Sequence, residues 1–179
     1  MPKNEWRSQL LITTARLHLR QPTPDDADVL SDILSCPEQT RYLPNEAPYT
    51  NAQQQQYLNN RLQHWLEHGF GTFIICLKDA PDTKLGFSGV EFTPKSGFVD
   101  IRYGITKPFE GQGFVTEAAK ATIDWTFANT DQKRIFGVSM PENLSSIAVI
   151  KKLGMAEVHG VDLYGFAGLK NYCLDKSVY

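Results

Sequence analysis

Cysteine is scarce in this chain: three in 179 residues, Cys36, Cys76 and Cys173, an odd number with no C-x-x-C pair. That spacing excludes a disulfide framework and fits the reduced thiols of a cytoplasmic protein. An excess of one charge is also missing. Eighteen Lys and Arg stand against 20 Asp and Glu, a formal net charge of −2, so there is no basic field to hold a phosphate backbone, and nucleic acid is not expected as a partner. The opening "MPKNEWRSQLLITTARLHLR" carries charges throughout and lacks a long apolar run, so neither a signal peptide nor a membrane span is expected. Nucleotide hydrolysis and serine hydrolysis lose their anchors too, because the chain has no Gly-Lys-Ser/Thr and no G-x-S-x-G.

What is present is an ordinary globular composition, 41% hydrophobic and 21% charged, of a length that suits one domain spanning 1–179. "LITTARLHLR" alternates Leu17 and Leu19 with Arg16, His18 and Arg20 and predicts a half-buried first strand. "TPDDADVLSDIL" predicts a helix with Thr23 as N-cap, Pro24 in its first turn, and Val29, Leu30, Ile33 and Leu34 on one face. A second helix follows from the capping box of Thr50 and Gln53, with Leu58, Leu62, Trp65 and Leu66 as its stripe and Gly69 as its end. "GTFIICLKD" and "KLGFSGVEF", joined by a Pro-Asp turn, predict an antiparallel hairpin, with Cys76 as a core thiol, and "GFVDIRYGIT" a third meander strand. Beyond these come a glycine turn, a helix from Phe114 to Asn129, the strand "RIFGVSM", the helix "SSIAVIKKL" closed by Gly154, and two late strands near 156–159 and 172–176. Antiparallel strands come first and βα units after, an α+β arrangement.

The turn "EGQG", Glu110 to Gly113, delivers the chain into the N-terminus of the Phe114 helix. The first amides of a helix are unpaired and carry about half a positive charge, so a turn without Cβ atoms lets an anion reach them. A purely steric use of the same glycines weighs about equally at this stage. The dinucleotide fingerprint does not fit, since its third glycine is missing.

"PFEGQGFVTEAA" followed by "PENLSSIAVIKKLGM" resembles the GCN5-related N-acetyltransferase (GNAT) superfamily, with its Q/R-x-x-G-x-G/A turn and later E-N-x-x-S segment. "TARLHLRQPTPDDADVL", "TRYLP", "KLGFSGVEF" and "VDIRYGI" resemble, in order and spacing, the ribosomal-protein N-acetyltransferase branch (RimJ/RimL-type). The resemblance implies a mixed, mostly antiparallel central sheet flanked by helices, whose fourth and fifth strands splay to admit acetyl-CoA as co-substrate. It implies backbone contacts to pyrophosphate from Gln112, Gly113, Phe114, Val115 and Thr116, and to pantetheine from the strand of Tyr103 and Ile105. Asn143 matches a CoA-contacting asparagine, and Ser146 a serine that protonates the leaving thiolate. Two positions depart from the pattern: Glu110 stands where relatives have Arg or Gln, and Val115 where they have Gly or Ala.

Acetyl transfer to an amine requires a base, a polarised thioester carbonyl and a proton for the leaving sulfur. Asp100 and Glu91 are the candidate carboxylates, with Asp100 favoured and His159 a third option. Each candidate has a plain structural alternative: Asp100 as a strand carboxylate beside Arg102, Asn143 and Ser146 as helix caps, Tyr103 as a packed aromatic. Gly104 suggests a bulge that would turn an amide near Ile105 toward the cleft. "HWLEH", His64 to His68, matches a zinc-peptidase pattern but lacks a third ligand, so two imidazoles on a solvated face are expected, and no metal. The expected partner is an amine acceptor, a protein N-terminus or a small molecule, walled by "TRYLPNEAPYT" and "HGVDLYGFAG". A homodimer is compatible with the family, and a non-catalytic acyl-CoA-binding module is the alternative function.

Overall fold

In the computed structural model, residues 10–44, 46–95 and 97–179 are described. Leu10–Thr13 (β1) and Leu17–Arg20 (β2) open an eight-stranded sheet, continued by Thr72–Leu77 (β3), Lys84–Phe92 (β4), Val99–Ile105 (β5), Arg134–Ser139 (β6), Ala156–Val158 (β7) and Lys170–Asp175 (β8). The spatial order is β1-β2-β3-β4-β5-β6-β8-β7, antiparallel at every step except β5–β6, which is parallel. Among the described residues five α-helices flank it: Ala27–Leu34 (α1), Pro37–Thr40 (α2), Asn51–His68 (α3), Phe114–Asn129 (α4) and Leu144–Lys152 (α5). This is the mixed α+β sheet that the element order implies.

The period-2 residues of the central strands divide between two cores. Val90, Val99, Ile101 and Ile135 face Ala119 and Ile123 of α4 and Ile150 of α5. On the opposite face Ile74, Cys76 and Phe87 meet Val29, Leu30, Ile33 and Leu34 of α1 and Leu58 and Leu62 of α3. Burial of such side chains, each worth about 1.5–3 kcal/mol, fixes which way each strand turns. The caps match the sequence: Thr50 Oγ1 accepts from the Gln53 amide, Gln53 Oε1 from the Thr50 amide, and Gly69 closes α3 in the left-handed region at φ 71°.

Three expectations are corrected. The first predicted strand is two, because Thr14 turns the chain: its amide donates to the Leu17 carbonyl and its hydroxyl accepts from the Leu17 amide. A splay between the fourth and fifth strands therefore falls on β5 and β6 in this numbering. Leu66 does not join the stripe of α3; it is 65% exposed, one position past the buried Trp65. No bulge forms at Gly104, which pairs in register with Phe87 between the Ser88–Tyr103 and Gly86–Ile105 pairs. Glycine is required there for another reason: a methyl group on it would stand 2.7 Å from the Phe87 ring. Among the described residues no helix is long and apolar enough to cross a membrane.

Candidate active site

β5 and β6 touch through a single bridge, Asp100 to Phe136, and part beyond it toward Ile105 and Ser139. A parallel pair held at one point leaves a gap whose walls are the ends of both strands. Tyr103 spans it. Its hydroxyl lies 2.9 Å from Ser146 Oγ and 3.1 Å from the Ser146 carbonyl, tying the sheet to the first turn of α5. Burial raises the Tyr103 pKa to about 12, so it remains a neutral phenol that can share a proton with Ser146. Asn143 is the N-cap of α5, its Oδ1 accepting from the Ser146 amide at 3.3 Å and from Ser145 Oγ at 3.2 Å. The side-chain amide nitrogen of Asn143 takes no part in the cap.

Beside the gap lies the glycine turn. Gly111 and Gly113 have φ of 72° and 80°, left-handed angles that a side chain resists by about 1–2 kcal/mol, and Gly113 is the N-cap of α4. The Glu117 amide donates back to the Gly113 carbonyl, which leaves the amides of Phe114, Val115 and Thr116 ahead of it at the open helix end. A methyl group on Gly111 would meet nothing within 4 Å, and one on Gly113 would meet only Arg16 Nη2, at 3.5 Å. The two departures from the family pattern turn away from the open helix end. Val115 packs on the core of Leu17, Phe73 and Leu85, and Glu110 Oε1 accepts from Gln39 Nε2 of α2 at 2.8 Å. The same Gln39 nitrogen donates to the Ile105 carbonyl at 2.7 Å, so α2 bridges the end of β5 to the turn.

On the α1/α3 side of the sheet the two candidate carboxylates are buried, Glu91 at 2% and Asp100 at 3% exposure. Arg102 joins them: its Nε donates to Asp100 Oδ1 at 3.0 Å and its Nη1 to Glu91 Oε2 at 3.2 Å. Glu91 Oε1 also accepts from Thr72 Oγ1 at 2.8 Å, while Arg61 Nε stands 2.9 Å away but out of line for a hydrogen bond. The other oxygen of Asp100 accepts from the hydroxyl of Tyr164, in the loop between β7 and β8. Burial raises the Asp100 pKa, against the pull of Arg102 and Tyr164. The Arg102 guanidinium stays protonated because Asp100, Tyr164 and Glu91 outweigh its own desolvation.

Sequence reasoning did not single out Arg16, Gln39, Glu117 or Tyr164 as site residues. Tyr164 falls within the segment "HGVDLYGFAG" expected to wall the acceptor, which also encloses a cavity of about 400 Å³ lined by His159, Asp162 and Phe166. His159 is exposed on that loop. His64 is not on a solvated face: its Nδ1 donates to the Phe70 carbonyl at 2.7 Å and its Nε2 accepts from the Phe92 amide at 3.1 Å. Among the described residues no three His, Cys, Asp or Glu side chains are arranged to hold a metal ion.

A family model described as an acetyltransferase (GNAT) domain matches residues 16–156, from the turn after β1 to the start of β7. The chain belongs to this family. As an N-acetyltransferase of the GNAT type it is 31% identical over 170 residues to the uncharacterized N-acetyltransferase p20 of Bacillus licheniformis, covering 88% of this chain and 94% of that one. Its fold is that of an acetyltransferase from Agrobacterium tumefaciens str. C58, at a TM-score of 0.84 and 22% identity over 97% and 99% of the two chains. It also matches RimL, a ribosomal L7/L12 α-N-protein acetyltransferase solved in complex with coenzyme A, at a TM-score of 0.73 and 14% identity over 93% and 98%. GNAT enzymes use acetyl-CoA as their acetyl donor, and the open amides before α4 and the parted strands suit its pyrophosphate and pantetheine.

Proposed function

We propose that the chain acts as one undivided cytoplasmic domain that transfers acetyl from acetyl-CoA to a primary amine, a protein N-terminal α-amine or a small-molecule amine, by direct attack on the thioester. The observation that carries this reading is the gap between β5 and β6, with Tyr103 and Ser146 on one wall and the glycine turn at its mouth. Protein α-amines enter as candidates because structural neighbours are ribosomal-protein acetyltransferases, among them RimL and a ribosomal-protein-S5-alanine acetyltransferase from Vibrio fischeri.

In this reading the amides of Gln112, Gly113, Phe114, Val115 and Thr116 hold the pyrophosphate, and the backbone from Tyr103 to Ile105 aligns the pantetheine. Asn143 turns its free amide nitrogen to the cofactor while its oxygen caps α5. Ser146 Oγ gives its proton to the departing sulfur and is resupplied from the Tyr103 hydroxyl 2.9 Å away. Asp100 takes the amine's proton. Glu91 sits beside both Arg61 and Arg102 and is the weaker base candidate; its role is to hold Arg102 in position. Because Asp100 is 3% exposed, the proton reaches it through Tyr164: the amine's proton passes to Tyr164 Oη as the Tyr164 hydroxyl proton passes to Asp100.

Calorimetric titration with acetyl-CoA, CoA and ADP tests the donor site before any acceptor is known. Saturable acetyl-CoA binding at about micromolar affinity or better supports it, and leads to a thiol-release screen over peptides with free N-termini and over small amines. Absence of binding would overturn the reading.

A further inference from the structure

The pyrophosphate turn of this family is assigned to backbone amides, and in this chain the carboxylate of Glu110 is drawn off to Gln39. A doubly charged phosphate pair on those amides gains from a fixed cation nearby. Lys107 does not supply one, since its Nζ pairs with Glu38 at 2.5 Å, and Lys120 pairs with Asp124 and Tyr179 further along α4.

Arg16, on the turn between β1 and β2, meets the glycine turn across 96 residues of sequence. Three contacts fix its guanidinium. Nε donates to Glu117 Oε2 at 2.7 Å, Nη1 donates to the Gln112 carbonyl at 3.0 Å, and the plane lies 4.2 Å over the Phe114 ring. Glu117 is itself held by Thr14 Oγ1 at 2.7 Å and by the Arg16 amide at 3.0 Å. Its pKa is lowered: the hydrogen bonds from Thr14 and Arg16 and the Arg16 charge overcome its desolvation, so it remains a carboxylate. The remaining nitrogen, Nη2, has no partner among the described residues and would stand 3.5 Å from a methyl group on Gly113. Two of the three guanidinium nitrogens lock the side chain, and the third stands beside Gly113 at the start of α4.

We infer that Arg16 is a cofactor-binding residue, its Nη2 donating a charge-assisted hydrogen bond to a pyrophosphate oxygen of acetyl-CoA, with Glu117 as the group that holds it in place. The inference rests on the donor-site reading above. The cation that neither Lys107 nor Lys120 supplies then comes from the turn between β1 and β2.

The test is calorimetry of full-length wild type, Arg16→Gln and Glu117→Gln with acetyl-CoA, and with acetyl-pantetheine, which lacks the phosphates. Arg16→Gln weakens acetyl-CoA about tenfold or more, the scale of one hydrogen bond to a charged group, with a shallower salt dependence and unchanged affinity for acetyl-pantetheine. Glu117→Gln keeps one acceptor oxygen for Thr14 and the Arg16 amide but turns an N–H toward Arg16 Nε, so it loosens the guanidinium and weakens acetyl-CoA by less than Arg16→Gln does, with acetyl-pantetheine unchanged. Equal weakening by both substitutions would mean that Arg16 only braces the turn through Glu117, which overturns the phosphate contact. Wild-type affinity in Arg16→Gln, or an equal loss toward acetyl-pantetheine, overturns it as well. Should Arg16→Gln fail to fold, Arg16→Lys decides, since it keeps the charge and loses the fork: weakened acetyl-CoA with unchanged acetyl-pantetheine supports the inference, and undiminished acetyl-CoA affinity or an equal loss toward both ligands goes against it. Wild type that does not bind acetyl-CoA would instead sink the donor site itself.

Discussion

The hydroxyl of Tyr164 donates to the carboxylate of Asp100, 64 residues earlier in the chain, at the one bridge that joins β5 to β6. Asp100 is shut off from solvent on its own strand, and in the proposed mechanism Tyr164, half-buried in the loop after β7, is its route outward. Replacing Tyr164 by Phe keeps the ring in the loop and removes only the relay. The expected result is a fall in kcat/KM for the amine acceptor of about a hundredfold at neutral pH, the usual range of a general base. The loss should shrink as pH rises toward the acceptor's own pKa, where the free amine no longer needs deprotonation. Affinity for acetyl-CoA by calorimetry should not change. A wild-type pH–rate profile in Tyr164→Phe would remove the relay.

Ser146 and Tyr103 form a hydroxyl pair on the opposite side of the sheet, and in the proposed mechanism the two hydroxyls have separable duties. Ser146→Ala removes the proton donor to sulfur and should lower kcat by about a hundredfold with little change in acetyl-CoA affinity. Tyr103→Phe leaves Ser146 Oγ in place but cuts its resupply and its tether to the strand, so a smaller loss is expected. Single-turnover acetyl transfer with each variant checks the order. Unchanged turnover in Ser146→Ala would leave water as the proton source.

The parts of this fold that are local in their physics were legible in the sequence. The helix from Phe114 to Asn129 begins after a glycine and carries Ala118, Ala119, Ile123 and Phe127 at helical spacing, so both its start and its buried face follow from nearby residues. Thr50, Gln53 and Gly69 mark α3 in the same way. The turn at Thr14 did not announce itself, because it has neither glycine nor proline and is held by the Thr14 hydroxyl and by Glu117, 103 residues away. Leu66 fits the helical stripe of α3, yet faces outward because among the described residues no strand or helix covers it.

The backbone geometry of the candidate site was legible, as in the left-handed turn at Gly111 and Gly113, and the side chains that meet across the fold were less so. Asp100 and Arg102 alternate onto one face of β5, a pairing the strand period supplies. That Glu91 of β4, Arg61 of α3 and Tyr164 of a late loop converge on the same pair depends on sheet order and helix docking, which no local pattern encodes. The acidic residue in the first turn of α4 reads as an ordinary partner of the helix dipole, and this masks the role of Glu117 as the anchor of Arg16.

His64 gives the last prediction, and its sign follows from its two bonds. Nδ1 carries a hydrogen to the Phe70 carbonyl and Nε2 accepts from the Phe92 amide, so the folded protein requires the neutral ring with the proton on Nδ1. Burial lowers its pKa, followed by the opposing pull of Glu91 and of the Phe70 hydrogen bond, with His68 and Arg102 adding to the depression. In the unfolded chain the ring titrates at about 6.5. The unfolded state therefore binds more protons than the folded state once pH drops below that value, and stability must fall with it. The stabilisation is complete above about pH 6.5 and is lost as pH descends toward the folded pKa. His64→Gln can serve the same two partners with a group that does not titrate. Denaturant unfolding at about pH 7.5 and about pH 5.5 should show a larger loss of stability in wild type than in the variant, the carboxylates being common to both. Equal losses would mean that the His64 ring can charge in place, which the Phe92 amide pointing at Nε2 opposes.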